Sequence, residues 1–181
     1  MSYNNTDLVN AFPSYLRDDV CKVVEFLPER DWSTETFSVS VGAEVVAIPY
    51  RIYLDPALID LTSLTNVQGE LAHCLLTRHR DGFIREANLA KILHSQNEWV
   101  PPFVVRLVGE YVVEILRVIG SNLDQLDPRV YRAFLRDNPR FLALMKHRMI
   151  SYWDCYYRSQ RLKDYEGFRV IRFLDELIAS R

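Results

Sequence analysis

The sequence is poor in the residues from which most recognisable chemistry is built. It holds three cysteines, Cys21, Cys74 and Cys155, an odd number with no Cys-x-x-Cys pair, so neither a disulfide framework nor a zinc site is indicated. All three sit among apolar neighbours and are expected as reduced thiols in or near the core. The six glycines never form Gly-x-Gly, which leaves no backbone cradle for a phosphate. No Gly-x-Ser-x-Gly or Cys-Gly nucleophile signature is present. His79-Arg80-Asp81 has the first letters of a kinase catalytic loop, but Glu86 stands where the asparagine is required, and no lysine strand precedes it.

Low-complexity tracts and a membrane-length apolar run are also missing. The longest apolar stretch, Pro101 to Ile119, is interrupted by Arg106, Glu110, Glu114 and Arg117, and each Arg at a bilayer centre costs roughly 2.5 kcal/mol or more. It is expected to be a buried helix of a soluble protein. Met1 to Asp7 shows neither the positive region nor the apolar core of an export signal, so a cytoplasmic location is expected.

What is present is an ordinary globular composition, with 49% hydrophobic and 25% charged residues over a length that suits one domain, 1–181. Three regions differ in texture. Residues 1–28 hold a helical segment in which Leu16, Val20, Val23, Val24 and Leu27 share a face, and Pro28 stops it. Residues 36–54 alternate Phe37, Val39 and Val41 with serines, turn at Gly42 and continue through Val45 to Ile48, the pattern of a β-hairpin. Residues 56–181 form an array of helices, opened at Asp55-Pro56 and predicted at 67–78, 84–94, 102–119, 128–136, 139–158 and 165–179. The fold class is therefore mainly α, an antiparallel helical bundle or a short HEAT-like helical array, with one N-terminal hairpin.

The stretch Asp81-Gly82-Phe83-Ile84-Arg85-Glu86-Ala87-Asn88-Leu89-Ala90-Lys91-Ile92-Leu93 resembles the second half of a HEAT-type repeat, with the helix through Leu71, Leu75 and Leu76 as its first half. The resemblance covers about 50 residues and one unit. It implies an α-solenoid fragment that presents a helix surface to a partner. The hairpin lies outside that pattern.

Two groups of residues could carry function. Glu70 and His73 share a helix face at the spacing found in carboxylate-bridged metal bundles, and Glu110 and Glu114 could add carboxylates; a second Glu-x-x-His is absent, and a His with an ordinary partner is the default. Glu110 and Glu114 fit equally an ion ladder with Arg106 and Arg117. No cofactor is expected. The stronger signal is a basic, aromatic surface: between Pro128 and Lys163 nine Lys and Arg face only Asp137 and Asp154, whereas residues 1–90 carry 7 Lys and Arg against 13 Asp and Glu. Its expected partner-binding residues are Arg129, Arg132, Arg136, Arg140, Arg148, Tyr152, Trp153, Tyr156 and Arg158, although the amphipathic spacing makes core aromatics the default.

The functional expectation is a non-enzymatic protein–protein interaction or scaffolding module, with a second copy of the chain among the partners considered. One alternative is nucleic-acid binding through the Arg/aromatic surface of 129–163, against which stands a sequence pI of about 6.1. The other is a small metal-dependent enzyme using Glu70, His73, Glu110 and Glu114.

Overall fold

The computed structural model describes residues 6–27, 30–32, 35–55 and 60–180. The fold is mainly α with an N-terminal β-hairpin. It divides into two compact units, residues 1–92 and 93–181. The cut falls inside the expected helical array.

In the first unit a short helix, α1 (Thr6–Val9), and a 3-10 turn at Ser14–Leu16 lead into α2 (Arg17–Phe26). Val20, Val23 and Val24 of α2 are buried, the face predicted from their spacing. Side chains of this size contribute about 1.5–3 kcal/mol each when removed from water. Strands β2 (Thr36–Val41) and β3 (Glu44–Pro49) then pair antiparallel, with Val41 opposite Glu44 and Phe37 opposite Ile48. Gly42, at φ 57°, occupies the first central position of the two-residue turn, where an L side chain would be strained. Phe37, Val39, Val41, Val46 and Ile48 face inward.

A second strand pair was not anticipated. Strand β1 (Arg30–Trp32) pairs antiparallel with β4 (Ile52–Leu54), so residues on both sides of the hairpin come together. In the sequence, residues 50–54 stand at the end of the expected hairpin region, 36–54, with no partner of their own. The edge of β4 also bonds to the turn at residues 78–80: the Ile52 amide donates to the Arg78 carbonyl at 2.9 Å and the Arg80 amide to the Ile52 carbonyl at 3.1 Å.

Helix α3 (Asn66–Leu76) opens with a capping box, Thr65 and Gln68 exchanging side-chain and backbone bonds. It packs against α2 and α4 (Gly82–Ile92). Two fully buried arginines fasten this region. Arg78 donates to the carbonyls of Pro49 (3.4 Å), Thr77 (3.3 Å) and Tyr50 (2.9 Å) and lies over the Phe37 ring. Arg85 Nη1 donates to the carbonyls of His79 and Arg80, closing the turn between α3 and α4. The helix start expected at Asp55-Pro56 falls on 56–59, outside the described residues.

The second unit corrects one sequence expectation directly. Residues 102–119 do not form a single helix but two, α5 (Pro101–Val108) and α6 (Val113–Ser121). Gly109 ends the first, and its carbonyl, freed from the helix ladder, accepts a bond from Arg148 Nε at 3.0 Å. Every residue of α5 is buried, so it forms the centre of the unit. Helices α7 (Pro128–Asp137), α8 (Pro139–Tyr152) and α9 (Glu166–Ala179) complete it. α9 buries Val170, Ile171, Leu174 and Leu177 against α6 and α7, while Arg172 and Glu176 pair at 3.5 Å on its outside. Helix α8, predicted to run to 158, changes at Trp153 to a π-helix that continues to Tyr157. Among the described residues no helix is long and apolar enough to cross a membrane.

Candidate functional site

The two expected groups fare differently. Among the described residues no set of three or more His, Cys, Asp or Glu side chains is placed to hold a metal ion. His73 Nδ1 shares a hydrogen bond with Asn88 Oδ1 at 2.8 Å, which gives the imidazole an ordinary partner. Glu70 is half-buried on the same helix. Glu110 is buried beside Arg106, at 3.6 Å, where the opposite charge offsets its desolvation. Glu114 is exposed and pairs with Arg117 at 3.4 Å. The link of residues 109–112 thus divides the expected ladder into a buried pair, Arg106 of α5 with Glu110 just past its end, and a solvent pair on α6.

The nine residues expected to bind a partner also separate. Arg132 and Arg136 fasten the end of α9: Arg132 Nε donates to the Leu177 carbonyl at 2.9 Å and Nη2 to Ser180 Oγ at 2.7 Å, and Arg136 Nη2 donates to the carbonyls of Ile178 and Ser180, each at 3.2 Å. They satisfy last-turn carbonyls and set positive charge at the negative end of the helix dipole. Arg129 pairs with Asp127, and Arg140 is exposed. None of these four joins the aromatic residues by a bond or ring contact among the described residues.

The other five, Arg148, Tyr152, Trp153, Tyr156 and Arg158, surround the π-helix. A π-helix adds one residue per turn relative to an α-helix and swings the side chains that follow out of register, which is why such turns recur at functional sites. Here it moves aromatics out of the core. Tyr156 is 66% exposed and Tyr111, in the link between α5 and α6, is 51% exposed; Tyr152, Trp153 and Tyr157 are half-buried. The default reading as core therefore fails for Tyr156 and holds only in part for Tyr152, Trp153 and Tyr157, whereas Tyr131 is buried as it required.

The rings form a continuous arc. Tyr111 meets Tyr152 edge-on at 6.0 Å, Tyr152 stacks with Tyr156 at 6.3 Å, Tyr156 meets Tyr157 at 6.5 Å, and Tyr157 stacks on Tyr165 at 5.3 Å. Each such pair adds about 0.5–1.5 kcal/mol beyond area burial. Hydrogen bonds hold the arc in place: Tyr157 Oη donates to the Tyr111 carbonyl at 3.3 Å, Trp153 Nε1 to the Gln160 carbonyl at 2.9 Å, and Arg148, lying over the Tyr152 ring, reaches its hydroxyl at 3.2 Å. Tyr165 closes the inner end. Burial, aided by Tyr157, pushes its phenol up to about 12, so it stays neutral.

Arg158, Arg161 and Lys163 are exposed on the stretch that runs on from the π-helix, with Asp154 and Asp164 among them, and the Trp153–Gln160 bond ties that stretch to the π-helix. Arg158 to Asp154 (3.9 Å) and Arg161 to Asp164 (2.7 Å) are solvent-exposed pairs, which hold their arginines weakly. The arrangement offers flat aromatic faces, phenol hydroxyls and a net positive rim, and no nucleophile poised by a base.

Sequence reasoning found half of this site. Tyr111 was hidden in a run read as one buried helix; the signal that could have exposed it was Gly109-Glu110 followed by Tyr-Val-Val, residues that favour extended backbone. No protein-family model matches the chain, and no curated protein or solved structure matches it.

Proposed function

We propose that this protein is a cytoplasmic protein-binding module whose contact surface is the tyrosine arc on the π-helix. The observation that carries the reading is the exposure of Tyr111 and Tyr156 on a scaffold that fixes their neighbours by ring contacts and hydrogen bonds. Tyrosine and arginine are the residues that protein interfaces favour, because a rigid amphipathic ring loses little entropy on contact. In this reading the α3–α4 pair is the HEAT-like part of the chain.

The test is site-specific photocrosslinking in the native host. A benzoylphenylalanine at Tyr156 is expected to give a discrete product, identified by mass spectrometry, that Tyr111→Ser removes. The same probe at Arg140, exposed and outside the arc, is expected to give none. A product of twice the chain mass would make the partner a second copy. Equal labelling from both positions, or none from Tyr156, would sink the proposal.

A further inference from the structure

The form of the arc narrows the class of partner. Four exposed or half-buried rings, Tyr111, Tyr152, Tyr156 and Tyr157, follow one another at spacings of 6.0, 6.3 and 6.5 Å. This is a narrow track rather than a broad patch. A folded partner needs about 800 Å² on each side to form a stable complex, whereas a track of this length matches an extended segment advancing about 3.1 Å per residue.

Two further features specify its chemistry. Tyr111 and Tyr156 are 51% and 66% exposed, and among the described residues neither hydroxyl bonds to a protein group, so each can exchange water for an acceptor on a ligand beside its ring. A polyproline II strand supplies the complement, since its rings stack on aromatic faces and its carbonyls have no internal donors. Its conformation is also pre-formed, which reduces the entropy lost on binding. Arg158 and Arg161 are 71% and 73% exposed, and with Lys163 they outnumber the adjacent Asp154 and Asp164. That rim favours carboxylates in the bound segment.

Resting on the protein-binding reading above, we infer that the tyrosine arc takes a proline-rich segment in polyproline II conformation, flanked by acidic residues. Proline rings lie against Tyr111 and Tyr156, whose hydroxyls donate to the segment's carbonyls, and its carboxylates meet Arg158 and Arg161.

The experiment titrates the full-length protein, followed by amide NMR shifts, with three synthetic 12-residue peptides and one control. The first peptide has proline at every third position and glutamates at its ends; the second has lysines in place of the glutamates; the third has glycine in place of proline. An oligothymidylate of the same length is the control. The expected result is saturable binding of the first peptide, with shifts centred on residues 111 and 152–158. Losses are expected on the order of tenfold or more on Tyr111→Ser and on Tyr156→Ser, with circular dichroism of both variants unchanged. The lysine peptide is expected to bind several-fold more weakly at low salt, a difference that shrinks as salt screens the rim.

Equal binding of the glycine peptide would overturn the proline requirement, and equal binding of the lysine peptide would overturn the acidic one. Tighter binding of the oligothymidylate would assign the rings to single-stranded nucleic acid instead. If no peptide binds, the inference fails, and the crosslinking at Tyr156 then separates the two readings: a product that persists there leaves a folded protein as partner, and its absence removes protein binding by this surface altogether.

Discussion

Cys74 and Cys155 each have apolar or aromatic residues close by in the sequence, yet their environments are opposite. Cys74 is fully buried in α3, and desolvation, with the negative charge of Glu70 second, pushes its thiol well above the ordinary range. Cys155 is exposed on the π-helix, and Cys21 is exposed on α2. The expectation of three core or near-core thiols therefore holds for one. Because the thiolate is the reacting species, native protein at pH 8 should release thionitrobenzoate from Ellman's reagent at two fast thiols, and at the third only on unfolding. Three fast thiols would show that α3 opens readily. Neither Cys21 nor Cys155 could be placed from composition, since a cysteine on an amphipathic helix is compatible with both faces. Tyr156 is the same case with functional weight: its helical spacing suggested core, and only the π-turn brings it out.

At the scale of elements, α7 and α9 show how a surface charge pattern can serve structure rather than recognition. The arginines of α7 recur every three to four residues, which made Arg129, Arg132 and Arg136 one basic stripe. In the fold, Arg132 and Arg136 spend their donors on the carbonyls that end α9. Replacing Arg132 with Ala should cost about 1–2 kcal/mol, the usual worth of a charged donor on a helix C-terminus, whereas Arg140→Ala should stay within about 0.5 kcal/mol. Urea unfolding of the two variants checks this, and equal midpoints would remove the capping role. The helices themselves were legible because their periodicity and their Pro, Asp and Asn boundaries agree. The break between α5 and α6 was not, since both halves are apolar and the charged positions kept helical spacing across Gly109. The pairing of β1 with β4 was hidden for a different reason: three-residue strands carry too little alternation to be seen.

For the whole molecule, the second unit has its own centre in α5 and contains every residue of the tyrosine arc. A fragment of residues 93–181 should therefore fold alone, with a helical circular dichroism spectrum and a single cooperative urea transition. A fragment without a transition would show that the first unit is required for that core. Between them, sequence and structure divide the account of this protein in a definite way. Local chemistry encodes the element types, so hydrophobic period, capping residues and turn glycines by themselves determined a mainly α chain with an N-terminal hairpin. Which individual rings and thiols meet water, where an apolar run breaks, and which arginines have donors left for a partner depend on residues far apart in the chain. Those were decided by the tertiary structure alone, because burial and hydrogen-bond satisfaction are properties of neighbours in space.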